Sequence, residues 1–283
     1  MSPDNIEMPT TVPLNNESSV LTLDKGAVSI NITDDLDMPV SIVCDMDIPA
    51  SLSDNSKSPL IIPDGIRTKE LFAPGNSIAW EFLSGFDLPW EALPAIKSYI
   101  KQLGAKLNPS DYNELDGNVW IHKTAVVAPS AFIGNNVIIC EGAQVRHCAY
   151  IRENAIIGRS TVVGNSTELK NVILFDEAQS PHYNYVGDSI LGFKAHTGAG
   201  AITSNLKSDQ SLVSVACGDT RIETQLKKFG AILGDNVEIG CNSVMNPGSV
   251  VGSGSTVYPL SMVRGFVPAG SIYKKQGEIA KKY

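Results

Sequence analysis

Three kinds of residue in this sequence could do chemistry together. His182 lies in the run Ser180-Pro-His182-Tyr-Asn-Tyr185-Val-Gly-Asp188, and imidazole is the side chain that exchanges a proton near neutrality without being perturbed. Arg152 and Lys170 stand 18 residues apart; if the fold makes them neighbours, a bound phosphate would relieve their mutual repulsion. Gly198-Ala199-Gly200 offers backbone that a ligand can approach closely, with amides able to donate to a developing oxyanion. Each has a plain structural reading too: a surface histidine, two splayed and solvated cations, glycines at corners. Only a fold that gathers them makes a site.

The chain has 283 residues, 43% hydrophobic and 18% charged, which excludes collagen-like, coiled-coil and wholly disordered classes. No apolar run approaches the roughly 18 residues of a membrane span, and Met1-Ser2-Pro3-Asp4 lacks the basic and apolar blocks of a secretory signal. A soluble, cytoplasmic protein is expected. The net charge of −8 is concentrated in residues 1–60, which carry ten carboxylates against Lys25 and Lys57. The remainder is neutral, so the chain offers no long-range attraction to nucleic acid or an anionic membrane. Five cysteines (Cys44, Cys140, Cys148, Cys217, Cys241) without a C-x-x-C pair predict reduced thiols and no metal site of the usual zinc spacing.

Residues 1–64, rich in Ser, Thr, Asn, Asp and Pro, predict a mostly disordered acidic extension. Residues 65–116 predict a helical cap over one end of the remaining chain. Glu91, Ala92, Ile96, Ile100 and Leu103 fall at helical spacing behind Pro89-Trp90, with Gly104 as the stop. From Val119 the period becomes six. Its third positions read Ile121, Val127, Ile133, Ile139, Val145, Ile151, Ile157, Val163, Leu169 and Phe175, and the frame returns with Leu233, Ile239, Met245, Val251, Val257 and Val263. Ten apolar residues in a fixed frame arise by chance about once in a thousand. A six-residue period suits a short strand and a tight corner, repeated, hence a parallel β-helix over 117–272. Gly134, Gly158, Gly164, Gly234, Gly240 and Gly252 follow the inward position, where a corner of positive φ would favour them. Residues 206–229 read as a loop excursion and 273–283 as a tail.

Hexads of this kind resemble the left-handed β-helix acyltransferases, mainly β proteins whose coil is three hexads around a triangular prism. The ordered series V-G-N-x-x-E-x-K, H-x-x-Y-x-G-D and G-A-G-x-I-T-x-N is similar to the acetyltransferase domain of the bifunctional N-acetylglucosamine-1-phosphate uridylyltransferase/glucosamine-1-phosphate acetyltransferases and their archaeal sugar-1-phosphate relatives. The resemblance implies an acetyl-CoA-dependent N-acetyltransferase of an amino-sugar 1-phosphate, needing no metal and working as a homotrimer with sites between subunits. His182 would be the general base. Arg152 and Lys170, brought to one corner by the 18-residue coil, would hold the sugar phosphate, with Tyr185 and Asn205 positioning the acceptor. His196 stands where the bacterial enzymes have an Asn that contacts the sugar. Ala199 and Cys241 would offer backbone to the acyl carrier, and Lys274, with Lys275, a cation for the 3′-phosphate of coenzyme A. Lys207 lies near the family lysine but out of register, and 206–229 departs from the bacterial pattern, which leaves the sugar open. Two other readings remain: a sugar-1-phosphate nucleotidylyltransferase related to UDP-N-acetylglucosamine pyrophosphorylases, for which residues 1–118 hold no Gly-rich nucleotide loop, and a non-catalytic β-helix that binds sugar phosphates.

Overall fold

The computed structural model describes residues 62–282; the expected acidic extension up to residue 61, with Cys44, lies outside the described residues. From Val119 short parallel strands wind into a left-handed β-helix of about nine turns. Successive coils stack Val119 on Val137 and Ile133 on Ile151, the register of an 18-residue turn. The third-position side chains fill the interior: Ile139, Val145, Ile151, Ile157, Val163 and Leu169 are at most 1% exposed. In the second block Leu233, Ile239, Met245, Val251, Val257 and Val263 are at most 2% exposed. Most edges contribute one aliphatic residue per coil, but in the middle coils Ser180, Thr197 and Thr203 stand in the inward column. There Thr197 donates to the Ser180 hydroxyl at 2.9 Å and Ser189 to that of Thr203 at 3.1 Å.

Besides the excursion, the frame slips at three places, after Leu169, Val186 and Val263; the first slip bears on the site. Tyr150 pairs with Glu168 and Ile151 with Leu169, but Glu153 rather than Arg152 pairs with Lys170, across a bulge. That coil is one residue short, and the following strand keeps the shorter spacing, pairing Tyr185 with Glu168 and Gly187 with Lys170. The inward residue after Leu169 is therefore Leu174, not the expected Phe175. Phe175 turns outward and packs its ring 4.8 Å from that of Phe72 in the helical segment. A fixed six-residue frame cannot anticipate a deletion that leaves an apolar residue at both candidate positions.

The expected reason for the six glycines is also corrected. None has positive φ; the left-handed backbone falls two residues later, at Asn136, Ser160, Ser166, Asn236, Asn242 and Gly254. The glycines answer to the neighbouring coil instead. A Cβ on Gly164 would lie 1.5 Å from the Pro181 carbonyl oxygen, and one on Gly252 would lie 2.4 Å from the Ala269 nitrogen. At the corners, short amides tolerate positive φ and bond to one another. Asn118 donates to Asn136 at 3.3 Å and Asn136 to Asn154 at 3.0 Å, one rung per coil.

The helical segment covers a flank of the prism, not its end. Helices Thr68–Leu71, Trp80–Leu83 and Ile96–Gly104, with the 3-10 turn Pro89–Ala95, share one buried cluster with Trp120, Ile138, Ile156, Ile173, Ile190, Ile232 and Val250. These are outward residues of successive coils on one face. The sequence carries the sign: on that face strands read as unbroken apolar runs (Val137-Ile-Ile139, Ala155-Ile-Ile157), as sheets buried on both sides do. Pro94 divides the expected helix into a 3-10 turn and an α-helix, and Gly104 ends it directly against the Trp120 ring. The strand Tyr112–Leu115 adds antiparallel to Val119–His122 at the start of the β-helix. The excursion is no simple loop but holds the hairpin Val213–Cys217 and Thr220–Leu226, whose alternating burial follows Val213, Val215 and Cys217. The tail joins the fold as well: Ser271–Lys275 adds a parallel rung, and Glu278–Lys281 folds back on it, so the terminal edge is covered.

Replacing Gly252 by alanine should lower stability by about 1–3 kcal/mol through forced separation of two coils. Denaturant unfolding of the variant measures this, and an unchanged midpoint would mean that coil contact does not require the glycine.

Candidate active site

The edge where His182 lies brings together residues far apart in sequence. The Gly200 amide donates to the His182 carbonyl at 3.0 Å, and the Asn242 amide donates to the Ala199 carbonyl at 2.8 Å. His182, Ala199 and Cys241 are thus consecutive rungs of one corner, roughly 4.8 Å apart per coil. Continuing the register, Cys241 is followed by Pro259, and Lys274 and Lys275 begin the exit from the last rung. The His182 ring is exposed while its backbone is fixed. Its amide donates to Asn184 Oδ1 at 3.0 Å, and the buried Asn184 amide donates in turn to the carbonyls of Gly198 at 2.8 Å and Ala201 at 3.2 Å. One side chain therefore locks the histidine to the glycine-rich turn above it. Along the same corner, the Ala199 and Cys241 N–H groups make no hydrogen bond to any described residue. They are donors left for something else.

A second group centres on a carboxylate. Asp188, 4% exposed, ends the corner series of Asn118, Asn136, Asn154 and Asn171, all with positive φ. It accepts from Asn171 Nδ2 at 3.0 Å, from Lys170 Nζ at 3.1 Å and from the Asn205 amide. Asn205 also donates to the Tyr185 hydroxyl at 3.2 Å. Burial, then the charges of Asp188 and Glu168, push the Tyr185 phenol above its ordinary range, so it stays protonated and free to donate. Lys170, Tyr185 and Asn205 are thereby joined through Asp188, a residue that the sequence motif contains but to which its spacing assigns no part. An acidic corner residue in a column of asparagines was the available signal.

Arg152 and Lys170 do lie on adjacent coils of one face, but each has its own carboxylate. Arg152 pairs with Glu168 at 3.3 Å and Lys170 with Asp188 at 3.1 Å. The bulge at Arg152 takes it out of direct register with Lys170, so the two charges alternate with acids and do not form a bare cationic pair. His196 lies on a different sheet from Lys170 and Tyr185, its Nδ1 2.8 Å from Glu238 on the next coil. It precedes Ala199 by three residues and so flanks the His182 corner rather than the Asp188 cluster. Lys274 and Lys275 share Glu278, at 3.6 and 3.3 Å. The four described cysteines are unpaired; burial raises the Cys140 thiol to about 12, so it is inert at neutral pH. Among the described residues no cluster of His, Cys, Asp and Glu is built to hold a metal, and no helix is long and apolar enough to cross a membrane.

Asp188→Asn should destabilise the fold by about 3 kcal/mol, since it strands the largely buried Lys170 ammonium without its counter-charge. Equilibrium unfolding reads this directly, and the double change Lys170→Met/Asp188→Asn should recover part of the loss.

Residues 136–251 match the family model described as the GMPPB C-terminal domain. The chain is 36% identical over 193 residues to "Bifunctional protein GlmU" of Methanococcus vannielii, covering 67% of this chain and 46% of that protein. It is 30% identical over 167 residues to the "Bifunctional sugar-1-phosphate nucleotidylyltransferase/acetyltransferase" of Sulfurisphaera tokodaii, covering 59% and 42% of the two. Among solved structures, the acetyltransferase domain of PglB from Neisseria gonorrhoeae in complex with acetyl coenzyme A aligns at 19% identity and a TM-score of 0.26, over 54% of this chain and 53% of that one. The chain spans about half the length of the curated relatives it matches. With a β-helix whose coils carry the quoted motifs, and with these relatives, its resemblance to the hexapeptide-repeat, left-handed β-helix acyltransferases holds in sequence and in fold.

Proposed function

We propose that this protein is an acetyl-CoA-dependent N-acetyltransferase acting on an amino-sugar 1-phosphate, glucosamine 1-phosphate foremost, in the making of a nucleotide sugar such as UDP-N-acetylglucosamine. The observation that carries the reading is the single corner on which an exposed imidazole and two unengaged amides lie on successive coils, His182, Ala199 and Cys241. A thioester laid along that corner would place its carbonyl among N–H donors and its chain toward Lys274 and Lys275, roughly 19 Å from His182 at four coil spacings. The relative from Sulfurisphaera tokodaii, whose name gives it an acetyltransferase activity, adds support.

The chemistry follows from those positions. An ammonium has no lone pair, so the acceptor must react as the amine. As its nitrogen attacks the thioester carbonyl, His182 takes the proton that nitrogen loses. The new C–N bond forms, the C–S bond breaks, and the imidazolium returns the proton to the leaving thiolate. Amide donors stabilise the oxygen that becomes negative in between. Tyr185 and Asn205 orient the sugar, His196 borders it, and a phosphate would draw Arg152 and Lys170 partly away from Glu168 and Asp188. These steps require no metal.

We further propose a homotrimer with the site at the junction of neighbouring protomers. Phe132, Tyr150, Glu168, Tyr185, Ile202, Val244 and Met262 are one outward column through the stacked coils, and Phe132, Tyr150, Ile202 and Met262 are exposed along it. An apolar stripe of that length on water-facing strands suits burial against another copy. Its member Tyr185 lies three residues from the His182 corner.

Release of free thiol from acetyl-CoA with glucosamine 1-phosphate tests the activity. His182→Ala should lower kcat about 10²–10⁴-fold with little change in acceptor KM; full turnover in that variant would remove the imidazole from the mechanism. Tyr150→Lys/Met262→Lys should shift sedimentation toward monomer and abolish turnover, whereas an active monomer would sink the shared site.

A further inference from the structure

Beside the Tyr185–Asn205 contact, the excursion roofs a cleft of about 330 Å³, at the small end of the range of ligand pockets. Its walls come from three parts of the chain. Ser204, Asn246 and Arg264 are successive rungs of one column, since Thr203 pairs with Met245 and Met245 with Val263 just before them. Lys207 and Ser208 come from the start of the excursion, and Arg221 from its hairpin. The hairpin is docked tightly. A Cβ on Gly248 would lie 2.8 Å from the Ser214 carbonyl oxygen, and one on Gly265 would lie 2.4 Å from that of Ala216. Ala216 is the cross-strand partner of Arg221, so that contact sets Arg221 beside Arg264.

The charge is one-sided. Three cations line the cleft against one carboxylate, Asp209, in a chain whose net charge is −8. Asp209 is already occupied, accepting from the Ser211 amide at 3.0 Å and hydroxyl at 2.8 Å, with Lys207 Nζ 3.9 Å away. Among the described residues Arg221 and Arg264 have no ion-pair partner. Arg221 and Arg264, both exposed, line this cleft together with Ser204, Ser208 and Asn246, and guanidinium groups are the donors that phosphate oxygens accept in pairs.

We infer that this cleft is a binding site for a phosphate or diphosphate group, separate from the Arg152–Lys170 face. Such a site stands whether or not the protein transfers acetyl groups. The group belongs either to the far end of an acceptor seated at Tyr185 and Asn205 or to an independent small phosphorylated molecule.

Inorganic pyrophosphate is the probe, titrated into the full chain by calorimetry at two salt concentrations. Binding that weakens with salt, and that falls at least tenfold in Arg221→Met/Arg264→Met but not in Lys274→Met, is the expected result. No binding, or equal affinity in the double variant, overturns it. Arg221→Met alone, on the exposed hairpin, keeps the test open if the double variant misfolds; it should weaken binding severalfold, and an unchanged affinity counts against the site. Competition separates the two sources. Pyrophosphate displaced by glucosamine 1-phosphate assigns the cleft, in place of the Arg152–Lys170 face, to the acceptor's phosphate, while additive binding assigns it to an independent ligand. Loss of acetyl transfer with pyrophosphate binding intact would sink the proposed activity and leave this site standing.

Discussion

Everything in this molecule depends on coils lying one strand spacing apart. At that distance a backbone atom of one turn occupies the space a Cβ of the next would need, and so glycine recurs where coils press close, as at Gly134, Gly164, Gly240 and Gly252. The same closeness converts sequence separation into adjacency. Residues 17, 18 or 42 positions apart become hydrogen-bonded neighbours, and each edge of the prism becomes a column along which a side chain of one coil meets its counterpart on the next. A ligand site on such a scaffold is a stretch of column, and its residues are as rigid as the ladder bonds that hold them.

The three faces of the prism have been given different tasks. One is apolar outside as well as in, and the helical segment lies along it, burying Ile138, Ile156, Ile173 and Ile190. A second carries the Asp188 cluster and the exposed aromatic and aliphatic column. A third carries His196 paired to Glu238. The corners between them hold the chemistry: one with asparagines ending in Asp188, another with His182 and the unengaged amides of Ala199 and Cys241. Corners suit that part because the chain turns there, so amides point away from the ladder instead of into it.

Electrostatically the site is nearly balanced. Arg152 and Lys170 meet Glu168 and Asp188, which lets two cations stand on neighbouring coils without repelling. Lys170 and Asp188 are sufficiently buried that the pair holds its geometry, while Arg152 and Glu168 remain near solvent. Unbalanced positive charge is found instead in the cleft under the hairpin, where the excursion leaves the coil and returns.

Much of this was legible in the residues alone. Inward hexad positions such as Ile139 and Val251 announced the β-helix, whereas His182, Ala199 and Cys241, 17 and 42 residues apart, were named by the motifs and reach one corner only through a shortened coil and the excursion. The slip that turns Leu174 inward and Phe175 outward was not legible, because both are apolar and either satisfies the frame. Nor were the partners of Arg152 and Lys170, since Glu168 and Asp188 reach them only across coils whose register a single bulge sets. Local pattern determined the kind of fold, for periodic burial is written into periodic side chains. Which charges meet, where the helical segment lies and how the hairpin roofs a cleft were decided by packing, because those contacts join distant parts of the chain through shape and have no period to read.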